Sequence, residues 1–164
     1  MKNICRLAVI GALVAGLVGC ETTPQKTSGV AAATASNRFR KVRTTAYTHS
    51  EGSSRNAIGR RLGGGELKSA GSDWSRFPLG TRFRIVQTGE NYVIDDYGWA
   101  LVGTNTIDLY KSSRLEMRRW GVRNVDIEIL YWGSDEESLK VLRPRKHVRN
   151  VRRMIASIEG KKRA

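Results

Sequence analysis

The sequence predicts a mainly β domain closed as a small barrel, with one or two short helices and a basic amphipathic helix at its C-terminal end. Three observations lead there. Short runs with period-2 patterning recur between residues 38 and 133, turn chemistry separates them, and the two flanks have compositions unsuited to strands. Many short strands divided by turns suit a closed barrel, which leaves no sheet edge unpaired.

The first element lies outside the fold. Lys2 and Arg6 make a short positive start, and Leu7 to Val18 form an apolar stretch broken only by Gly11 and Gly16. This stretch is too short to span a bilayer comfortably. It closes on Leu17-Val18-Gly19-Cys20, which resembles the bacterial lipobox, where cleavage precedes a cysteine whose thiol has been acylated. The resemblance implies a signal peptide over residues 1–19, a lipidated Cys20, and an exported protein held by its lipid on a membrane facing the periplasm. Glu21 in place of aspartate resembles the outer-membrane sorting choice. The competing reading is an ordinary cleaved signal, or an uncleaved anchor, with a cysteine there by chance. Cys5 is the other cysteine and falls within the signal, so the mature chain forms no disulfide and depends on a packed core.

After Cys20, residues 21–37 are rich in Thr, Ser, Ala, Gly and Lys, with almost no large apolar side chain. They cannot offset the entropy of folding and read as a flexible tether. The formal net charge is +14, and removing Lys2 and Arg6 with the signal leaves +12. Such a balance calls for an acidic partner. Export argues against nucleic acid and leaves anionic membrane surface and carboxylate-rich wall polymer.

Residues 38–133 carry the strands. Val42 to Thr48, Tyr92 to Asp96 and Thr106 to Tyr110 are short candidates; Phe83 and Ile85 alternate with Arg82 and Arg84; Val125, Ile127, Ile129 and Tyr131 alternate with Asp126, Glu128 and Leu130. Turns fall at Gly63-Gly64-Gly65, Pro78-Leu79-Gly80, Thr88 to Asn91, Tyr97-Gly98 and Gly103 to Asn105. One helix interrupts them. Ser113 and Glu116 have capping-box spacing, Leu115, Met117 and Trp120 supply apolar contacts, and Gly121 stops the helix.

Residues 134–164 form a basic helical tail. A helix is expected near Asp135 to Leu142. Beyond Pro144, Val148, Val151, Ile155 and Ile158 recur at helical spacing with Arg149, Arg152 and Arg153 on other faces. That stripe packs on the barrel or lies on anionic lipid or wall polymer.

Three aspartates stand beside turns. Asp73 can cap the turn Asp73 to Arg76, and Asp96 can open a turn at Tyr97-Gly98. Asp108 is the most unusual, because aspartate is depleted in strands and Ile107 and Leu109 must share the opposite face. If those two face the core, Asp108 lies outside or lines a groove.

Taken together, Ala70 to Asp73 through Phe77 to Thr81, Tyr92 to Gly98, and Gly103 through Ile107 to Tyr110 resemble the three-aspartate domain. That domain occurs in the family of membrane-bound lytic murein transglycosylase A and in smaller muralytic proteins. The likeness runs from about Thr45 to Tyr131 and includes Ala46-Tyr47 and Arg119-Trp120-Gly121. It departs at Trp74, where the family often has proline, and at Trp99, where it often has glycine. The second domain that completes the glycan groove in transglycosylase A has no counterpart here.

The resemblance implies a six-stranded double-psi β-barrel over 38–133 and cleavage of the β-1,4 bond from N-acetylmuramic acid to N-acetylglucosamine, leaving a 1,6-anhydro sugar. Asp108 would act first as acid and then as base, with Asp96 and Asp73 as catalytic supports. Tyr47, Gly98 and Trp99 would contact the sugar. Neither cofactor nor metal is implied. A hydrolase using Asp96 as base or nucleophile is a variant, and a non-catalytic wall-binding lipoprotein is the alternative, since fold alone proves no catalysis.

Other constellations are weaker. His49 with Glu51 does not make a zinc site, adjacent Ser50 and His49 on a strand point apart, and Gly63-Gly64-Gly65 lacks the lysine and spacing of a phosphate loop.

Overall fold

A computed structural model describes residues 37–63 and 65–161. The signal segment, Cys20 and the tether up to residue 36 lie outside the described residues. No helix among those described is long and apolar enough to cross a membrane.

Six strands close into one barrel: β1 (Arg38–Tyr47), β2 (Leu67–Gly71), β3 (Arg82–Ile85), β4 (Asn91–Asp96), β5 (Ile107–Tyr110) and β6 (Arg123–Tyr131). Their order around the wall is β1-β5-β2-β4-β3-β6. β1 with β5 and β2 with β4 are parallel pairs, and the other neighbours are antiparallel. Exchanging β1, β2 and β3 with β4, β5 and β6 reproduces the same ring and the same two parallel pairs. Each half of the chain inserts a strand between the first two strands of the other half, which is the interlocked double-psi arrangement.

Alternation fixes the inside of the barrel. Phe83 and Ile85, Tyr92 and Ile94, and Ile107 and Leu109 are fully buried pairs one residue apart, and Ile127 is fully buried between the buried Val125 and Ile129. Burial of each such side chain contributes roughly 1.5–3 kcal/mol. Strand β2, Leu-Lys-Ser-Ala-Gly, shows no period-2 pattern and was not expected from periodicity. Pairing on both edges, with β4 and β5, makes it a strand.

Strand β6 departs from the expected alternation at its end. Arg82 pairs with Tyr131 but Phe83 pairs with Ile129, so Leu130 is an extra residue, and Tyr131 turns outward instead of into the core. Just beyond, Gly133 passes so close to the 78–81 turn that a Cβ would overlap the carbonyl oxygens of Pro78 and Leu79.

The three expected helices form. In α1 (Arg114–Trp120), Ser113 Oγ accepts the Glu116 N–H, and Gly121 ends the helix at a φ of 61°. Its contact surface is narrower than the apolar residues suggest. Leu115 is exposed, and Trp120 alone is buried, because seven residues present one turn to β1. Helix α2 (Asp135–Leu142) buries Leu139 and Leu142, and Ser138 Oγ accepts the Leu79 N–H at 2.9 Å. Helix α3 (Arg149–Lys161) buries Val151, Met154 and Ile158, which join the same core cluster as Trp74, Phe77 and Val102. The apolar stripe of the tail is therefore spent on packing against the body, while Val148 stays exposed.

Candidate active site

The ends of β1, β2 and β4 and the start of β5 meet at a cleft of about 380 Å³. Its wall includes Tyr47, Glu51, Gly71, Asp96, Gly98, Trp99 and Asp108. Gly71 is the key to the layout. It pairs with Asp108 on β5 and with Asp96 on β4, so the two carboxylate residues stand in one row on either side of it. Two interstrand steps place their Cα atoms roughly 9–10 Å apart. Glycine leaves the floor between them low: a Cβ there would touch Leu101 at 3.4 Å.

Asp108 takes its orientation from its neighbours. Ile107 and Leu109 are both fully buried, which turns the aspartate to the outer face of β5 and into the cleft. Thr45, its register partner on β1, donates its hydroxyl to Asp108 Oδ1 at 2.6 Å. Burial raises the Asp108 carboxyl above its ordinary value, the Thr45 bond opposes this, and the charge of Glu51 adds to the rise.

Asp96 is held by its backbone surroundings. Its Oδ1 accepts the N–H groups of Ala57 (3.1 Å) and Tyr97 (2.9 Å), and its Oδ2 faces the Tyr47 hydroxyl at 3.5 Å. Burial pushes its pKa up to about 6; the two N–H bonds oppose the shift and the neighbouring charge of Asp95 assists it. The Tyr47 hydroxyl is raised as well, first by burial and then by Asp96, Asp95 and Asp108, so it stays a protonated donor.

The third aspartate lies elsewhere. Asp73 is 2% exposed, and its two oxygens accept the N–H groups of Ser75 (2.9 Å) and Gly103 (2.7 Å). It caps its own turn and ties that turn to the loop before β5. The structure thus brings Asp96 and Asp108 together on one cleft and sets Asp73 behind it as a fastener. Trp74, next in sequence, is fully buried and donates Nε1 to the Asp96 carbonyl at 2.8 Å, so this residue also serves the Asp96 backbone. Trp99 stands at the rim, 80% exposed, and Gly98 lies in the wall, where a Cβ would press on Leu101 at 3.3 Å.

Several contributors are not evident from sequence. Asp95 is half-buried; its Oδ2 accepts from Asn56 and Ser69, both at 2.8 Å, while its Oδ1 is buried with no hydrogen-bond partner among the described residues. Burial raises its carboxyl. Thr45 and Gly71 matter only through register, which period-2 patterning does not reveal. His49 Nδ1 lies 3.0 Å from the Tyr110 hydroxyl, an arrangement that braces the wall next to Tyr47. Among the described residues, no group of three His, Cys, Asp or Glu side chains is placed to hold a metal ion.

Chemically, the cleft offers two carboxyl groups that burial shifts toward protonation, one of them with a single hydrogen bond among the described residues. A carboxyl whose proton affinity is raised can give a proton and then take one back. No family model and no curated protein sequence matches this chain.

Proposed function

We propose that the protein is a peptidoglycan lytic transglycosylase, cutting the β-1,4 bond between N-acetylmuramic acid and N-acetylglucosamine during cell-wall remodelling. The observation that supports this reading is the row Asp108, Gly71, Asp96, which sets two buried-shifted carboxyls on one open cleft. The proton of Asp108 passes to the bridging oxygen as the muramoyl C1–O bond breaks. The Asp108 carboxylate then takes the proton of the muramoyl 6-hydroxyl, whose oxygen closes on C1 and gives the 1,6-anhydro ring. Asp108 ends as it began, and no water is consumed.

Asp96 serves this chemistry electrostatically. Its charge, when present, stabilises positive charge developing at C1, while burial and the charge of Glu51 raise Asp108. Tyr47 and Trp99 offer aromatic contacts to the sugars and Gly98 leaves room for them. General acid–base catalysis supplies about two to four powers of ten, and positioning by the cleft supplies more. In this reading a lipid on Cys20 holds the enzyme on the periplasmic side of the outer membrane.

Digestion of purified peptidoglycan with the chain from Glu21 onward tests the proposal. Anhydro-muropeptides are expected, and Asp108→Asn is expected to abolish them. Release of reducing-end muramic acid alone would replace the lytic reaction with hydrolysis. Binding to sacculi with no release, unchanged by Asp108→Asn, would make the protein a wall-binding module.

A further inference from the structure

Away from the cleft, the first half of β1 borders a groove of about 560 Å³ between aromatic and cationic side chains. Phe39, Phe77 and Trp132 supply the aromatic part. Arg40, Lys41, Arg43, Arg76 and Lys161 supply the charge, and among the described residues no carboxylate lines the groove. In contrast, the active-site cleft holds Glu51, Asp96 and Asp108, and the cleft beside Trp120 holds Glu90 and Glu116.

Two bulges build this surface. The β1 register shifts between Phe39 and Val42, with Lys41 at a φ of 53°, so that Arg40 and Lys41 are both exposed. Asp126 holds the bulge through the Lys41 backbone N–H at 3.0 Å and pairs with Arg38, leaving the charge of Lys41 outward. The β6 bulge does the same for apolar groups. Leu130, Tyr131 and Trp132 are consecutive and exposed at 51%, 62% and 41%; Trp132 lines the groove, Tyr131 lies under Arg82, and Leu130 is the extra residue at the bulge. This run starts beside residue 37, where residues 1–36 join the body, because the Ile129 N–H bonds to the Asn37 carbonyl at 2.8 Å.

We propose that this face is a membrane-docking surface that takes the anionic headgroup layer of a lipid bilayer. Cations beside exposed aliphatic and aromatic side chains match the two layers of a membrane interface, charge outside and hydrocarbon beneath. The features fit a glycan less well. Leu130 has nothing to offer a sugar, and Trp132 is stacked on Phe77 with Phe39 packed against it edge-on, so its ring is a braced wedge instead of a free platform. The inference does not depend on the cleavage reading. It adds an orientation: Arg40 and Tyr47 lie seven residues apart on β1, about 20 Å, and among the described residues Arg43 alone borders both the groove and the wall that carries Trp99 and Asp108.

The test is sedimentation of the chain from Glu21 onward with vesicles of phosphatidylcholine alone or mixed with phosphatidylglycerol. That chain carries the whole core, which lies within residues 39–158. Binding to the anionic vesicles, weakened by added salt, is expected to fall about tenfold or more in Arg40→Glu/Lys41→Glu. Leu130→Asp is expected to weaken it while circular dichroism stays unchanged. Arg118→Glu/Arg119→Glu alters net charge equally on another face and is expected to bind as the parent does. Equal loss in that control would reduce the effect to bulk charge and overturn the proposal. So would equal binding to neutral vesicles, or loss of sacculus binding in Arg40→Glu/Lys41→Glu with vesicle binding intact.

Discussion

Arg145, in the tail, holds both residues whose N–H groups fix the carboxylate of Asp96. Its guanidinium donates to the Tyr97 hydroxyl at 3.2 Å and to the Ala57 carbonyl at 2.8 Å, and Ala57 and Tyr97 each donate a backbone N–H to Asp96 Oδ1. The tail thus reaches the candidate active site through two short chains of contact. Arg145→Gln is expected to loosen those donors and raise the apparent pKa of Asp96 further, since bonds to the charged form are what hold it down. Carboxyl titration by NMR, comparing parent and variant, checks this; an unchanged Asp96 titration would break the link.

The pH dependence of stability follows from Asp96. Its carboxyl sits near 6 in the folded protein against an ordinary value of 3.8. The folded state therefore binds the proton more tightly than the unfolded state, and the contribution to stability present below pH 4 is lost as pH rises through 6. The full shift corresponds to about 3 kcal/mol, and solvent at the partly open cleft reduces it to about 1–2 kcal/mol. Asp96→Asn is expected to be more stable than the parent by that amount at pH 8, with the gain fading toward pH 4, in urea unfolding at the two pH values.

Thr45 tunes the proposed acid. Its hydroxyl bond stabilises the Asp108 carboxylate and lowers its proton affinity. Thr45→Val keeps the shape and removes the donor, so the pH at which anhydro-sugar release declines is expected to move upward. The kcat/KM profile against pH is the measurement, and a decline at the parent's pH would detach Thr45 from Asp108.

Trp74→Phe leaves the Asp96 carbonyl without its 2.8 Å donor in a fully buried setting. The carbonyl keeps the Ser72 N–H at 3.1 Å, so the lost bond costs about 0.5–1.5 kcal/mol, and the lost ring adds a cavity cost. The urea midpoint is expected to fall accordingly, with wall cleavage falling more than stability alone explains at low temperature.

Gly133→Ala tests the close approach of the segment after β6 to the 78–81 turn. A Cβ has no room beside the carbonyls of Pro78 and Leu79, and these are backbone atoms tied to α2 through Ser138. A loss of more than about 3 kcal/mol is expected, in the range of severe overpacking, read as a drop in Tm or loss of soluble protein.

The class of fold, most strands and all three helices are legible in the sequence, because alternation in Phe83 to Ile85 and Val125 to Ile129 and the serine caps at 113 and 134 are local physics. Asp108 is legible too, since an aspartate between two inward residues must face out. The rest depends on contacts between distant segments. Strand β2 exists because two neighbours pair with it, Tyr131 turns outward because a bulge flips its face, and Asp73 parts from Asp96 and Asp108 because both its oxygens are taken by backbone N–H groups. Gly71 gained its meaning only when strands distant in sequence lined up on either side of it. Register between such strands is set by the packing of the whole barrel, and no local pattern records it.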